Sequence, residues 1–233
     1  MKRIICGGGL GDAYLNIIKL YNKSKNEILL CDHYVSGNDE WHMNTYNSGP
    51  DFAVIREIYS LHPNLDINIV VANIEEEDMD VYSYFSKEDK IDLEFEYFPV
   101  FSQIKDLYKK FNLPEDYICM SLKSGKNIQK HRRISKKSIL KIIKENENVV
   151  MIGSGIDEEY SDTINLLNKT SILESLSIIM NSKEFHGYQG LHCFFSLSQK
   201  IPTKTYIYNQ DDNRALKIRC PQPWEQYIEI IRD

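Results

Sequence analysis

The chain has 233 residues, 42 % of them hydrophobic, and a formal net charge of −6. That length holds one large α/β domain or two small ones, with enough apolar material for a sizeable core. The acidic balance argues against a protein whose whole surface binds nucleic acid, and no run of about 18 apolar residues is present to span a membrane.

Cys6, Cys31, Cys119, Cys193 and Cys220 are scattered, odd in number and form no CxxC pair. They read as small buried thiols in a reducing compartment, and a cytoplasmic location is expected, bacterial or in the host cytoplasm if the source is viral. Met1-Lys2-Arg3-Ile4-Ile5-Cys6 passes from charge straight into a short strand, with no apolar core of signal-peptide length.

Ile4-Ile5-Cys6 is followed by Gly7-Gly8-Gly9-Leu10-Gly11-Asp12 and an amphipathic stretch with Tyr14, Leu15, Ile18 and Tyr21 on one face. Glu27 to Cys31 reads as the next strand, completing a βαβ opening. The glycine loop fails the GxGxxG pattern at Asp12 and Tyr14, and no Gly-Lys-Ser/Thr follows, so neither a dinucleotide fingerprint nor a P-loop is present. Gly9 and Gly11 let backbone approach a ligand, and Asp12 either caps the helix or serves the chemistry. Residues 32–49 are polar, with His33 and His42 placed to line a cleft; their spacing matches no standard metal site, and no metal is expected.

Residues 50–61 read as a helix and Ile67 to Ala72 as a buried strand. The acidic run 75–96 reads as a solvated surface, so its Asp78-Met79-Asp80 carries no metal assignment. Gln103 to Phe111 is a helix closed by Asn112-Leu113-Pro114. The expected division is therefore 1–114 and 115–233.

The second part opens with the strand Ile118 to Leu122. Lys123 to Lys144 then contains nine Lys/Arg and no acid. Lys123, Lys126, Lys130, Arg132 and Arg133 precede or lie in its loop, where they can meet an anion; Lys136, Lys137, Lys141 and Lys144 lie on a helix and read as its solvated face. Val149 to Ile152 is a strand ended by Gly153-Ser154-Gly155, and Ile164 to Leu167 is short and strand-like. Thr170 or Ser171 caps the next helix, with Glu174 in its first turn as capping carboxylate or ligand contact. Glu184-Phe185-His186 leads into Gly187-Tyr188-Gln189-Gly190-Leu191-His192, which reads as a strand end, a tight turn and a helix start. That corner collects phosphates in α/β proteins. Lys204 to Tyr208 is a last strand, and Gln222 to Arg232 reads as a terminal helix packing back on the first part.

The second half resembles the heptosyltransferase-like glycosyltransferases of GT-B architecture, family 9. The resemblance rests on Val149 to Gly155, Asn165-Leu166-Leu167-Asn168, Thr170-Ser171-Ile172-Leu173-Glu174 and the glycine turn with histidine. In that turn Gly190 and His192 match an Asp-Ser-Gly-Pro-x-His pattern, whereas Tyr188-Gln189 replaces its acid. The first half matches only through Gly9-Leu10-Gly11-Asp12. The resemblance covers roughly residues 118–208 and, thinly, 1–20. It implies two small Rossmann-like α/β domains facing a cleft, with parallel sheets flanked by helices.

It further implies sugar transfer from a nucleoside-diphosphate sugar to a hydroxyl acceptor, a glycan or related surface molecule, with no cofactor and no obligatory metal. Asp12 would be the base. Lys123, Lys130, Arg132, Arg133, Gly187, Gln189, Gly190 and His192 would hold the donor diphosphate, Glu174 its ribose. Gly9, Gly11, His33 and His42 would lie on the acceptor side. Two alternatives stand beside this reading. One is a glycosyltransferase modifying hydroxymethylated phage DNA, motivated by the basic segment. The other is a non-catalytic nucleotide- or sugar-binding module of degenerate GT-B type, motivated by the missing acid.

Overall fold

Strand formation follows the apolar runs closely in a computed structural model that describes residues 2–7, 9–24, 28–36, 53–62, 64–72, 106–123, 132–154, 158–208 and 222–233. The chain divides into two units, Met1–Phe101 and Ser102–Asp233.

In the first unit, β1 (Lys2–Gly7), β2 (Leu29–Ser36) and β3 (Leu65–Ala72) form a parallel sheet in the order β1-β2-β3. Between them lie α1 (Leu10–Ser24) and α2 (Ala53–Tyr59). Ala13 to Ile18 are all buried, so α1 is covered on more than the single stripe its periodicity suggests. Part of that cover is α2, whose Tyr59 hydroxyl accepts from Asn16 Nδ2 at 3.3 Å. Of the polar, turn-rich stretch expected over residues 32–49, Asp32 to Ser36 instead continue β2 in register with Asn68 to Ala72, and the rest lies outside the described residues.

The second unit begins with α3 (Leu107–Phe111) and has a six-stranded sheet. Its strands are β4 (Ile118–Ser121), β5 (Val149–Ile152), β6 (Ile164–Asn165), β7 (Glu184–Tyr188), β8 (Thr203–Ile207) and β9 (Ile228–Arg232). All pairs are parallel, in the order β6-β5-β4-β7-β8-β9. Counted within the unit this is 3-2-1-4-5-6, the doubly wound dinucleotide-fold order. Strands β4 and β5 are buried at every position, which is why they read as unbroken apolar runs rather than alternating ones. The helices are α4 (Lys136–Glu145), α5 (Ile172–Met180) and α6 (Leu191–Ser198). Ile139 and Ile142 of α4 join Met120, Val149, Met151 and Tyr188 in one apolar cluster.

The expected terminal helix is not there. Gln222–Tyr227 is a 3-10 helix, and Ile228–Arg232 is the edge strand β9, paired with β8 in the sheet of the second unit. Three β-branched isoleucines in five residues favour a sheet over a helix. The strand is also anchored at its end, where the Asp233 carboxylate accepts from the Ser135 backbone N–H and from the Ser135 and Ser138 hydroxyls. A carboxylate suits the N-terminus of α4, which Ser135 caps through Ser138 N–H.

Candidate functional site

Strand β4 is the point at which the second unit's winding reverses. From β4 the chain goes to β5 on one side, and β7 later fills the other. Ligands of open α/β sheets bind outside the carboxyl ends of the two strands at such a switch. Here those ends are Ser121 of β4, in register with Gly187 of β7, and the turn Gln189-Gly190 that follows Tyr188.

Gly190 is the N-cap of α6 and offers no side chain to the first-turn amides. His192 stands in that first turn. Its Nδ1 lies 3.0 Å from the Ser121 hydroxyl, a bond that ties α6 to the neighbouring strand across the switch point. Burial pushes the imidazole down to about 4, so the ring is neutral at physiological pH.

Three groups at this end of the sheet are buried without a hydrogen-bond partner among the described residues. They are Nε2 of His192, both amide atoms of Gln189, and Nε of Arg132. Gln189 is 2 % exposed. Leaving buried polar atoms unmatched costs about 1–3 kcal/mol each, so such atoms mark a place where something else supplies the partner. Arg132 reaches this end of the sheet because the segment after β4 folds back: Lys123 bridges Arg133, and Ile134 N–H donates to Leu122 C=O.

The other expected donor-side residues fall elsewhere. Gly187 belongs to β7 rather than the turn, and a Cβ there would meet the Phe185 ring at 2.6 Å; the glycine makes room for that ring. Arg133 is exposed and bonded to both Glu158 oxygens, at 2.7 and 3.0 Å. The Tyr160 hydroxyl also donates to Glu158, and the two partners hold that carboxyl below its usual value. Glu174 completes a capping box with Ser171: Oε2 accepts from Ser171 N–H at 2.8 Å, and Oε1 accepts from Lys110. Burial pushes its carboxyl up, but the bonds from Lys110 and Ser171 outweigh that and leave it below its usual value. A groove of about 730 Å³ beside α4 includes Arg133, Lys136, Leu140, Glu158 and Tyr160 in its lining, but not Ser121, Gln189 or His192. It is open, and Arg133 and Tyr160 in its lining are already bonded to Glu158, so the unpartnered atoms at the switch point are the better guide.

In the first unit, Gly9 precedes α1 and its carbonyl accepts from Ala13 N–H at 2.9 Å. Gly11 and Asp12 lie in the first turn, at the carboxyl end of β1, so Asp12 is not the N-cap residue. His33 is in β2, opposite Cys6 and Ile69. Lys130 and His42 lie outside the described residues. Among those residues no group of three or more His, Cys, Asp or Glu could hold a metal, and no helix is long and apolar enough to cross a membrane.

Ser121 is the one site residue that sequence reasoning passed over. Its only signal is a hydroxyl ending an otherwise apolar strand, directly before the basic segment.

The second unit is thus a doubly wound α/β unit with unsatisfied polar atoms of Gln189 and His192 at its switch point. No protein-family profile and no curated protein matches the chain. Solved structures do. A family 9 glycosyl transferase from Veillonella parvula aligns over 100 % of this chain and 86 % of its own, with TM-score 0.55 and 11 % identity. The ADP-heptose LPS heptosyltransferase II of Escherichia coli aligns over 99 % and 90 %, with TM-score 0.53 and 12 % identity. The iron-containing dodecameric glycosyltransferase TibC of enterotoxigenic E. coli aligns over 88 % and 57 %, with TM-score 0.50 and 11 % identity. The family 9 resemblance therefore holds at the level of fold: the chain has the mixed α/β, parallel-sheet architecture of these glycosyltransferases.

Proposed function

We propose that the protein transfers a sugar from a nucleoside-diphosphate sugar to a hydroxyl acceptor. One observation carries the reading. On a glycosyltransferase fold, the buried Gln189 amide and His192 Nε2 lie without partners at the carboxyl ends of β4 and β7, beside an uncapped helix N-terminus, and the unpartnered Arg132 Nε belongs to the segment that follows β4. Of these, Arg132 Nε, Gln189 Nε2 and a protonated His192 Nε2 are donors for an anion. A departing diphosphate gains negative charge as the glycosidic bond breaks, and fixed donors at that oxygen lower the barrier.

In this reading Arg132, Gln189, His192 and the first-turn amides of α6 hold the diphosphate. Arg133 and Glu174, already engaged by Glu158 and Lys110, shape the surrounding loops. Asp12, in the first turn of α1, takes the acceptor proton. The acceptor is a glycan or related surface molecule, and a cytoplasmic location accords with a nucleotide-sugar donor.

Calorimetric titration with inorganic pyrophosphate and a panel of nucleotide sugars tests the donor site. One charge-assisted hydrogen bond is worth about 1.5–3 kcal/mol, so Arg132→Ala is expected to weaken binding by roughly 10- to 100-fold. No binding by any of these ligands, or unchanged affinity in Arg132→Ala, would sink the reading.

A second reading, a binding module without turnover, is favoured by one feature: Tyr188-Gln189 stands where an acid is expected, and Gln189 is buried there without a partner. Release of nucleoside diphosphate, abolished by Asp12→Asn with pyrophosphate affinity kept, decides for the enzyme. Binding without release in the wild type decides for the module.

A further inference from the structure

Ser121 closes β4 and is 4 % exposed, and its hydroxyl faces a single ring nitrogen, Nδ1 of His192. The loop after β5 passes directly beside it: a Cβ on Gly153 would lie 3.9 Å from Ser121 Oγ, and that glycine holds φ +126°, a backbone that side chains rarely adopt. The hydroxyl is therefore enclosed between two strand ends and a helix start.

A neutral imidazole carries one proton for two nitrogens, so the partner of one nitrogen decides the state of the other. A serine hydroxyl can donate or accept, and the Ser121–His192 pair alone permits either tautomer. The enclosure breaks the tie: a buried hydroxyl whose one partner among the described residues is Nδ1 satisfies its own proton only by donating there, which leaves the ring proton on Nε2. Nε2 is shut off from solvent, has no partner among the described residues, and stands in the first turn of α6, where the helix end favours anions. An anionic oxygen is met there by an N–H and repelled by a lone pair.

We infer that Ser121 is a positioning residue: its hydroxyl donates to His192 Nδ1 and holds the neutral ring with its proton on Nε2, the form that donates to a diphosphate oxygen. The nature of the ligand rests on the donor site proposed above. The tautomer is a property of the free protein and is measured without any ligand.

Nitrogen–proton NMR correlations of isotope-labelled histidine read the tautomer directly. In the wild type the proton is expected on Nε2. Ser121→Ala is expected to spread it over both nitrogens and to weaken inorganic pyrophosphate binding by about tenfold, the scale of one hydrogen bond. Ser121→Thr, which keeps the hydroxyl, restores both. A role in packing alone would not move the ring proton. A wild-type proton on Nδ1, or an unchanged tautomer in Ser121→Ala, overturns the inference. If Ser121→Ala does not fold, the wild-type spectrum decides, with Ser121→Thr required to reproduce it. If pyrophosphate fails to bind while the proton is on Nε2, the donor site falls and the tautomer assignment stands.

Discussion

His186 and His192 lie on either side of the turn that ends β7, and the chain treats them differently. His186 is 3 % exposed and both its nitrogens are engaged, Nδ1 with the Tyr206 hydroxyl at 3.0 Å and Nε2 with Glu184, which also accepts from Lys204. His192 has one nitrogen engaged by Ser121 and one without a partner among the described residues. Burial lowers the pKa of both, against opposition from Glu184 at His186 and without such opposition at His192. Burial alone therefore does not mark a functional histidine. A closed network is a structural device, and an open valence at a topological switch point is a place for a ligand.

The comparison breaks most visibly at His186. His186→Ala strands the Tyr206 hydroxyl and takes from the Glu184 carboxylate one of its two partners, and is expected to cost about 2–4 kcal/mol in urea unfolding while leaving pyrophosphate affinity at its wild-type value. Lost affinity in the folded variant would make the two histidines one site. Next in size is Gly187→Ala. Its Cβ would press into the Phe185 ring, and overpacking of this kind costs about 1–3 kcal/mol. An unshifted unfolding midpoint would show that the ring moves aside freely.

The most diagnostic effect is in pH. The unfolded-state value of a histidine is 6.5, and His192 is held down to about 4, so the unfolded chain binds more protons between those limits. Stability is then complete above pH 6.5 and falls as pH drops toward 4, with His186 and His62 adding in the same sense. The depressed carboxyls Glu174 and Glu184 add a further loss as they protonate at lower pH. His192→Gln is expected to flatten the profile between pH 6.5 and 4. An identical profile in that variant would mean that the imidazole is not held neutral.

How much of this was legible beforehand depends on how local each signal was. Buried strands such as Val149–Ile152, the Ser171 cap with Glu174, and the corner ending in His192 are written in neighbouring residues. The terminal segment misled because Ile-Glu-Ile-Ile-Arg is short enough to suit a helix or a strand, and only an available edge at β8 settles it. Arg133 read as a charge placed to meet an anion because its partner Glu158 lies 25 positions away, and the bond of Glu174 to Lys110, 64 positions away, leaves no local trace. Ser121 was missed for the same reason, its partner being 71 positions away.

The amino-acid sequence by itself determined the alternation of parallel strands and helices, the glycine–histidine corner and the basic stretch after β4, because apolar periodicity, capping and turn chemistry act over a few residues. Only the tertiary structure decided which of the charged and polar groups are spoken for. Pairing of Arg133 and Glu174, closure of the network around His186 and the open nitrogen of His192 depend on which strands the sheet order makes neighbours, and that order is a property of the packed whole.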